Sequence, residues 1–212
     1  MRNKTGLIIF LLTVSAWVIG GIVLLQNEQN IVIHWNNHGQ ADGYGPRWLL
    51  LLFPLMIPLI DTLLRFCRRI DPKRHNYAKF ASSFTTLRVT VALLLWICCM
   101  ITSAEAWQPG ITNVSMLICF SIGGLVSICG NIMPRIRPNY MIGIRNPWTL
   151  HDESIWRKTH RIGGWIWFGG GILLCVLSLW QLEFMIFNAW ILFIILVPNL
   201  YSYVLYRRSA SG

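Results

Sequence analysis

Gly6-Leu7-Ile8-Ile9-Phe10-Leu11-Leu12-Thr13-Val14-Ser15-Ala16-Trp17-Val18-Ile19-Gly20-Gly21-Ile22-Val23-Leu24-Leu25 carries no charged side chain. A helix rising ~1.5 Å per residue needs ~20 such residues to cross a ~30 Å hydrocarbon core. The run therefore reads as a membrane span. Val14-Ser15-Ala16 resembles a signal-peptide cleavage site, but the apolar run continues well past the ~7–15 residues of a signal core. An uncleaved anchor is expected; cleavage would leave five spans with the later topology unchanged.

Working outward, five more apolar stretches follow, at residues 48–66, 89–104, 114–133, 163–180 and 184–206. The short third run draws on flanking Leu87 and Trp107. Pro109-Gly110 marks the turn before the fourth span, and Gln181-Leu182-Glu183 the turn between the fifth and sixth. The 212 residues are 55% hydrophobic and only 12% charged, with eleven Trp. A soluble domain carries about a quarter charged residues. The expected fold is all-α: a single polytopic membrane domain over 1–212 with six transmembrane helices.

The basic residues orient it. With the N-terminus inside, Arg2 and Lys4 are cytoplasmic, as are Arg65, Arg68, Arg69, Lys73, Arg74, Lys79 and Arg88 around the inner loop 67–88. Arg135, Arg137, Arg145, Arg157, Lys158 and Arg161 fall in or beside the inner loop 134–162, and Arg207 and Arg208 in the tail. Only Arg47, in the outer loop 26–47, remains outside, which places seventeen of eighteen Lys and Arg on one side. Both termini are thus expected to be cytoplasmic. The net charge of +10 is explained by attraction to the anionic lipid bilayer, and nucleic acid is not expected as a direct partner.

The six cysteines lie in or next to apolar runs, without metal-knuckle spacing, and imply no disulfide framework. No His-Glu-x-x-His pair, Gly-flanked nucleophilic serine or phosphate-cradling loop occurs. His151 and His160, nine apart, would fall on different helix faces. No enzyme activity, metal or cofactor is expected.

The outer loop begins with β-branched Ile31-Val32-Ile33, suggesting a short extended segment, and residues 37–39 suggest a turn. His34, His38 and Asp42, four apart, would gather a metal only on a helix, which the local glycines and Pro46 disfavour. The other readings are interfacial anchoring through Trp35, Tyr44 and Trp48, and a rigid polar-aromatic patch offered to an external ligand.

The inner loop has three prolines and is too apolar and aromatic for a disordered linker. Thr149 followed by Asp152 reads as a variant capping box opening a helix, with Arg157, Lys158 and Arg161 toward its end. Ile155, Trp156, Thr159 and Ile162 would share one face, giving an interfacial amphipathic helix that leads into the fifth span. A membrane-surface connector accounts for the charge pattern, but less well for Asn139, Gly143, Trp148 and His160 in so compact a segment.

Within the spans, Asp61 stands four residues before Arg65, which reads as an ion pair snorkelling to the interface, with a proton-relay carboxylate as the sharper alternative. Pro54, Pro58 and Pro198 are expected to bend their helices and free carbonyls. Gly123, Gly124, Ser127 and Gly169-Gly170-Gly171 are expected as close-packing surfaces.

At the two loops the sequence resembles the SdpI family of bacterial membrane proteins, whose named member is an immunity protein against a secreted toxic peptide. The outer resemblance rests on His34-Trp35-Asn36, Gly39 and Asp42-Gly43, before a span containing Pro54 and Pro58. The inner one rests on Asn139-Tyr140-Met141-Ile142-Gly143-Ile144-Arg145, Pro147-Trp148-Thr149-Leu150, then Trp156, Thr159 and His160. Two departures are Ile33, where the family has proline, and Asn146, where it usually has a small hydroxyl residue.

The resemblance implies a bacterial plasma-membrane protein that gives resistance to a toxic peptide and signals by capturing a small cytoplasmic repressor protein. It points to His34, Trp35 and Gly39 as ligand contacts outside. Inside, it points to Asn139, Gly143, Arg145, Trp148, Trp156 and His160 as partner contacts. A transporter or exporter, suggested by the proline-bent spans and Asp61, and a metal-dependent membrane enzyme through His34 and His38 are the competing classes.

Overall fold

The computed structural model describes residues 2–36, 39–180 and 184–210; of the turn expected at 37–39 only Gly39 is among them, and the turn at 181–183 and His38 as a candidate ligand lie outside. Helix α1 (Arg2–Gln26) leads into an antiparallel hairpin, β1 (Ile31–Trp35) and β2 (Ala41–Gly45). Helices α2 (Leu49–Leu52) and α3 (Met56–Ile70) are joined through a 3-10 turn at Phe53–Leu55. A 3-10 segment, Arg74–Phe80, precedes α4 (Ala81–Trp107), which is followed by α5 (Val114–Ile132). Next come the short α6 (Pro147–His151), then α7 (Glu153–Ser178) and α8 (Phe184–Ala210). Among the described residues six helical stretches are long and apolar enough to cross a membrane, as an all-α polytopic protein requires.

Each span divides between a packed stripe and a lipid-facing surface. On α1, Thr5, Ile9, Thr13, Ala16, Gly20 and Val23 are buried at helical spacing, while Leu7, Phe10, Leu11, Val18 and Ile22 are exposed. That inverts nothing chemically, because lipid is as apolar as the core and the stripe is chosen by fit and hydrogen bonding. Several hydroxyls in the spans are satisfied locally: Thr13, Thr90, Thr102 and Ser121 each donate to the carbonyl four residues back, whereas the buried Thr159 hydroxyl on α7 has no hydrogen-bond partner among the described residues.

The prolines behave as two kinds. Pro54 sits in the 3-10 turn, and the nearby Leu51 carbonyl accepts the Trp17 indole N–H at 2.7 Å. Pro198 lies inside α8 and cannot donate to Ile194 O; the Trp167 indole does so instead, at 2.9 Å. The freed carbonyl is thus answered by a side chain from α7 rather than by a polar cavity.

Glycines bring α5 and α7 into backbone contact. A Cβ on Gly123 would lie 2.9 Å from Gly171 O and Cys175 N, and one on Gly171 would lie 2.4 Å from Ser127 N. Gly130 and Gly164 extend the seam, each within 2.9 Å of the facing backbone by the same construction. Gly124 and Gly169, expected in that surface, instead point into open space.

Asp61 corrects a second expectation. It is only 4% exposed, and it accepts from Arg88 Nε at 2.6 Å and Nη2 at 3.1 Å as well as from Arg65 at 3.0 Å. Arg88, assigned above to a loop, is in α4 with only 11% of its side chain exposed. The carboxylate therefore clamps α3 to α4 inside the bundle instead of snorkelling with Arg65 alone.

Candidate functional site

The hairpin and the α4–α5 turn form one end of the bundle. Glu105, buried near the end of α4, accepts from Gly110 N at 2.8 Å, Thr112 N at 2.8 Å and Thr112 Oγ1 at 2.6 Å. One carboxylate thereby holds the turn that Pro109-Gly110 begins. Asn27 bridges to it: its Nδ2 donates to Ala106 O at 2.7 Å and its carbonyl accepts from Arg47 at 2.7 Å. Between the turn and the hairpin lies a cleft of about 910 Å³, lined in part by Glu28, Trp35, Gly39, Tyr44, Glu105 and Trp107.

Of the three outer residues singled out from sequence, Trp35 and Gly39 line this cleft. Gly39 has φ +74°, and a Cβ there would lie 2.5 Å from Ser115 Oγ at the start of α5; glycine lets the hairpin tip press on that helix. His34 is outside the lining. Its Nδ1 pairs with Asp42 Oδ1 at 2.5 Å across the hairpin, and both groups are solvent-exposed. Gly43 packs on it, its notional Cβ lying 2.7 Å from the His34 Cβ. The motif residues His34, Asp42 and Gly43 thus shape the hairpin, and no cluster of three metal-ligating side chains occurs among the described residues.

At the opposite, basic end, two loops close on each other through buried polar groups. Asn139, with 0% exposure, accepts from Met141 N at 2.9 Å and Ile142 N at 2.7 Å and donates to Arg137 O at 2.9 Å and Ile142 O at 3.0 Å. A single amide thus substitutes for the secondary structure that this irregular segment lacks. Asp71, also buried, accepts from Lys73 N, Tyr140 N and Tyr77 Oη, each within 3.0 Å. Asn76 Nδ2 donates to Pro138 O at 2.8 Å. The segment between α3 and α4 is thereby fastened to the segment between α5 and α6.

Helix α7 supplies the other wall. Trp156 and His160 stack with centroids 4.0 Å apart, and both have 0% exposure. The Trp156 indole donates to Ile136 O at 2.9 Å. His160 Nε2 accepts from Ile144 N at 3.1 Å, and its Nδ1 lies 2.9 Å from Trp156 O. One nitrogen must accept and the other donate, so this geometry needs the neutral ring protonated on Nδ1. Gly143, at φ +106°, passes so close that a Cβ would sit 2.4 Å from His160 Nε2.

Three readings of this segment change. The capping box is Asn146 with Thr149 and opens α6, whereas Asp152 is the N-cap of α7, accepting from Ser154 N and Ile155 N. The amphipathic stretch is the first part of α7 itself, with Ile155, Trp156, Thr159, His160, Gly163 and Gly164 turned into protein. Ile162 is 38% exposed, about a third of a turn from that face. His151 and His160 belong to different helices. Asn146, noted as a departure, donates to Asn199 Oδ1 at 3.0 Å and Ser202 Oγ at 2.8 Å on α8.

Of the six inner residues singled out, Asn139, Trp156 and His160 are enclosed, while Gly143 and Arg145 are exposed and Trp148 is half-buried against Tyr203. The sequence reading missed Asp71, Asn76 and Tyr77, which complete the network from the other loop, and Glu105. An isolated Glu at the end of an apolar run, beside Pro-Gly, was the available signal for Glu105.

Residues 135–205, which begin before Asn139 and end in α8, match the SdpI/YfhL protein family. Residues 11–57, which include the hairpin, match a domain of unknown function (DUF1648). The chain is 24% identical over 204 residues to "Immunity protein SdpI" of Bacillus subtilis (strain 168), covering 95% of this chain and 96% of that one. No solved structure matches. The similarity to the SdpI family, together with six membrane-length helices, makes this a multi-pass cell-membrane protein.

Proposed function

We propose that this chain is a membrane immunity protein that protects its cell by binding a secreted toxic peptide in the cleft at the hairpin end. The relative's name supports the biological class, and the cleft supports the choice of site. The observation that carries the reading is a cleft of about 910 Å³ with Trp35 and Tyr44 on one side and Trp107 on the other. Aromatic walls bury large area at low entropic cost. Among the described residues, Glu28 and Glu105 are the charged ones in the lining. The gathering of Lys and Arg at the other end supports a cytoplasmic placement of both termini, and on that orientation this end faces outward, where a secreted peptide arrives.

The basic end is then cytoplasmic. Exposed Arg145 and Gly143, with half-buried Trp148, form the face offered to a small repressor protein, while Asn139, Trp156 and His160 hold that face in shape from beneath. Asp61 opposes the transporter reading, because both carboxylate oxygens are engaged by guanidinium groups.

The test is protection. A sensitive bacterial host expressing the chain is challenged with the secreted toxic peptides of the bacterium that carries the gene. Survival is expected, with loss in Trp35→Ala and Trp107→Ala variants that still insert in the membrane. Full sensitivity of cells with confirmed wild-type insertion overturns the reading.

A further inference from the structure

A second cavity, of about 390 Å³, lies at the basic end where the loop carrying Ile144 and Arg145 meets Leu87 of α4, Ile132 of α5, Trp167 of α7 and Ile195 of α8. That volume is near the lower end of the roughly 300–1,000 Å³ typical of ligand sites. Its walls are mainly apolar, and among the described residues Arg145 is the one charged group in them. The polar side chains beside it are already engaged: the Trp167 indole donates to Ile194 O, and Asn199 bonds Asn146 and Ile195 O. Arg145 differs. It gives one Nη1 bond to Tyr140 O and has no carboxylate partner among the described residues.

A mainly apolar chamber holds water poorly, and an exposed guanidinium in its lining, with no carboxylate partner among the described residues, suits an anion. Both demands are met by one molecule already present around a membrane protein. We propose that the cavity binds an anionic phospholipid, one acyl chain inserted among Leu87, Ile132, Trp167 and Ile195, and the phosphate-bearing headgroup paired with Arg145. Basic pockets between helices on the cytoplasmic side suit such headgroups. The site is separate from the hairpin-end cleft and does not depend on peptide binding there, but it shares Arg145 and Gly143 with the face offered to a repressor, so a bound headgroup and a repressor would compete for Arg145. A lipid seated there would tie the loop to four helices at once.

The experiment is native mass spectrometry of the full chain in mild detergent, titrated with phosphatidylglycerol or with phosphatidylcholine of the same acyl chains. Wild type should retain one phosphatidylglycerol at severalfold lower lipid concentration than phosphatidylcholine. Arg145→Gln should abolish that preference, Arg145→Lys should keep most of it, and Arg137→Gln, an exposed arginine of the same loop outside the lining, should leave it intact. Ile195→Trp, which puts bulk into the chamber, should lower retention of both lipids. Equal retention of the two lipids by wild type overturns the proposal without recourse to any variant. So does an equal effect of Arg137→Gln and Arg145→Gln, which would mean diffuse attraction to a basic surface.

Discussion

Replacing Asp61 by Ala should be among the most destabilising single changes in the bundle, and the structure says by how much. The carboxylate is 4% exposed and Arg88 11% exposed, whereas Arg65 is 55% exposed. Removing Asp61 strands the Arg88 guanidinium in a protein interior, a loss of about 3–5 kcal/mol for a broken buried pair. Removing Arg65 takes away only a half-solvated i,i+4 partner, about 0.3–0.5 kcal/mol. At roughly 2–4 °C per kcal/mol for a chain of this size, Asp61→Ala and Arg88→Ala should each lower Tm by about 6–20 °C, and Arg65→Ala by no more than about 2 °C. The joint change Asp61→Leu with Arg88→Leu should recover most of the loss, because an apolar pair carries no desolvation penalty. Tryptophan fluorescence during thermal unfolding in detergent reads all four. If Asp61→Ala and Arg65→Ala shift Tm equally, or the double variant is no better than the singles, the clamp is not what holds α3 to α4.

Gly143→Ala faces both φ +106° and a Cβ 2.4 Å from His160 Nε2, and should cost about 1–3 kcal/mol in the same assay. Gly171→Ala should cost a similar ~1–3 kcal/mol from overpacking against Ser127, while Gly124→Ala, in open space, should be neutral or stabilising by up to ~1 kcal/mol. Asn139→Ala leaves Met141 and Ile142 N–H groups without an acceptor and should lose about 3 kcal/mol, checked by thermal unfolding and by faster proteolysis at the basic end. The Ser154 hydroxyl, with the Ile155 and Ser154 N–H groups, holds the Asp152 carboxyl below the usual carboxylate range. A lowered folded value means the cap stabilises above the unfolded value of about 3.9 and fades as pH falls through the folded one. Asp152→Asn should therefore flatten the acid limb of a Tm-against-pH curve below about pH 4.

What was legible in the sequence follows from what each signal measures. The run from Gly6 to Leu25 announces a span because length and apolarity are local properties. The distribution of arginines is a chain-wide sum, equally easy to read. Arg88 defeated the same logic: a hydropathy scan registers its charge but not Asp61, 27 residues away, that neutralises it inside the bundle. Asn139, Trp156 and His160 were visible as a motif yet read as a contact surface. A polar group in an irregular segment serves equally well to satisfy that segment's own backbone. Which of the two applies depends on Asp71, Asn76 and Tyr77, supplied from another loop, and no spacing within 134–162 contains that information. The outer cleft was half legible: Trp35 and Gly39 line it, but its far wall is built by Glu105 and Trp107 from the next connection.

Helix α4 is the element that joins these pieces. Near its hairpin end Glu105 holds the turn over the cleft; farther along, Arg88 grips Asp61; and near its other end Phe84 meets Tyr77, whose hydroxyl bonds Asp71 and Asn139. One rigid rod therefore touches the cleft, the clamp and the loop network. A ligand can favour one packing over another only by the difference in its affinity for the two. On the proposed reading that difference would arise at the cleft, since a peptide that moved the 108–112 turn would pull on Glu105. It also has a fixed point to work against in the Asp61–Arg88 pair. A pivot that loosened when Asp61 was removed would leave the cleft intact but uncouple it from Asn139. Protection and any cytoplasmic readout should then separate in Asp61→Asn, with peptide binding retained while the basic-end loop becomes more open to protease.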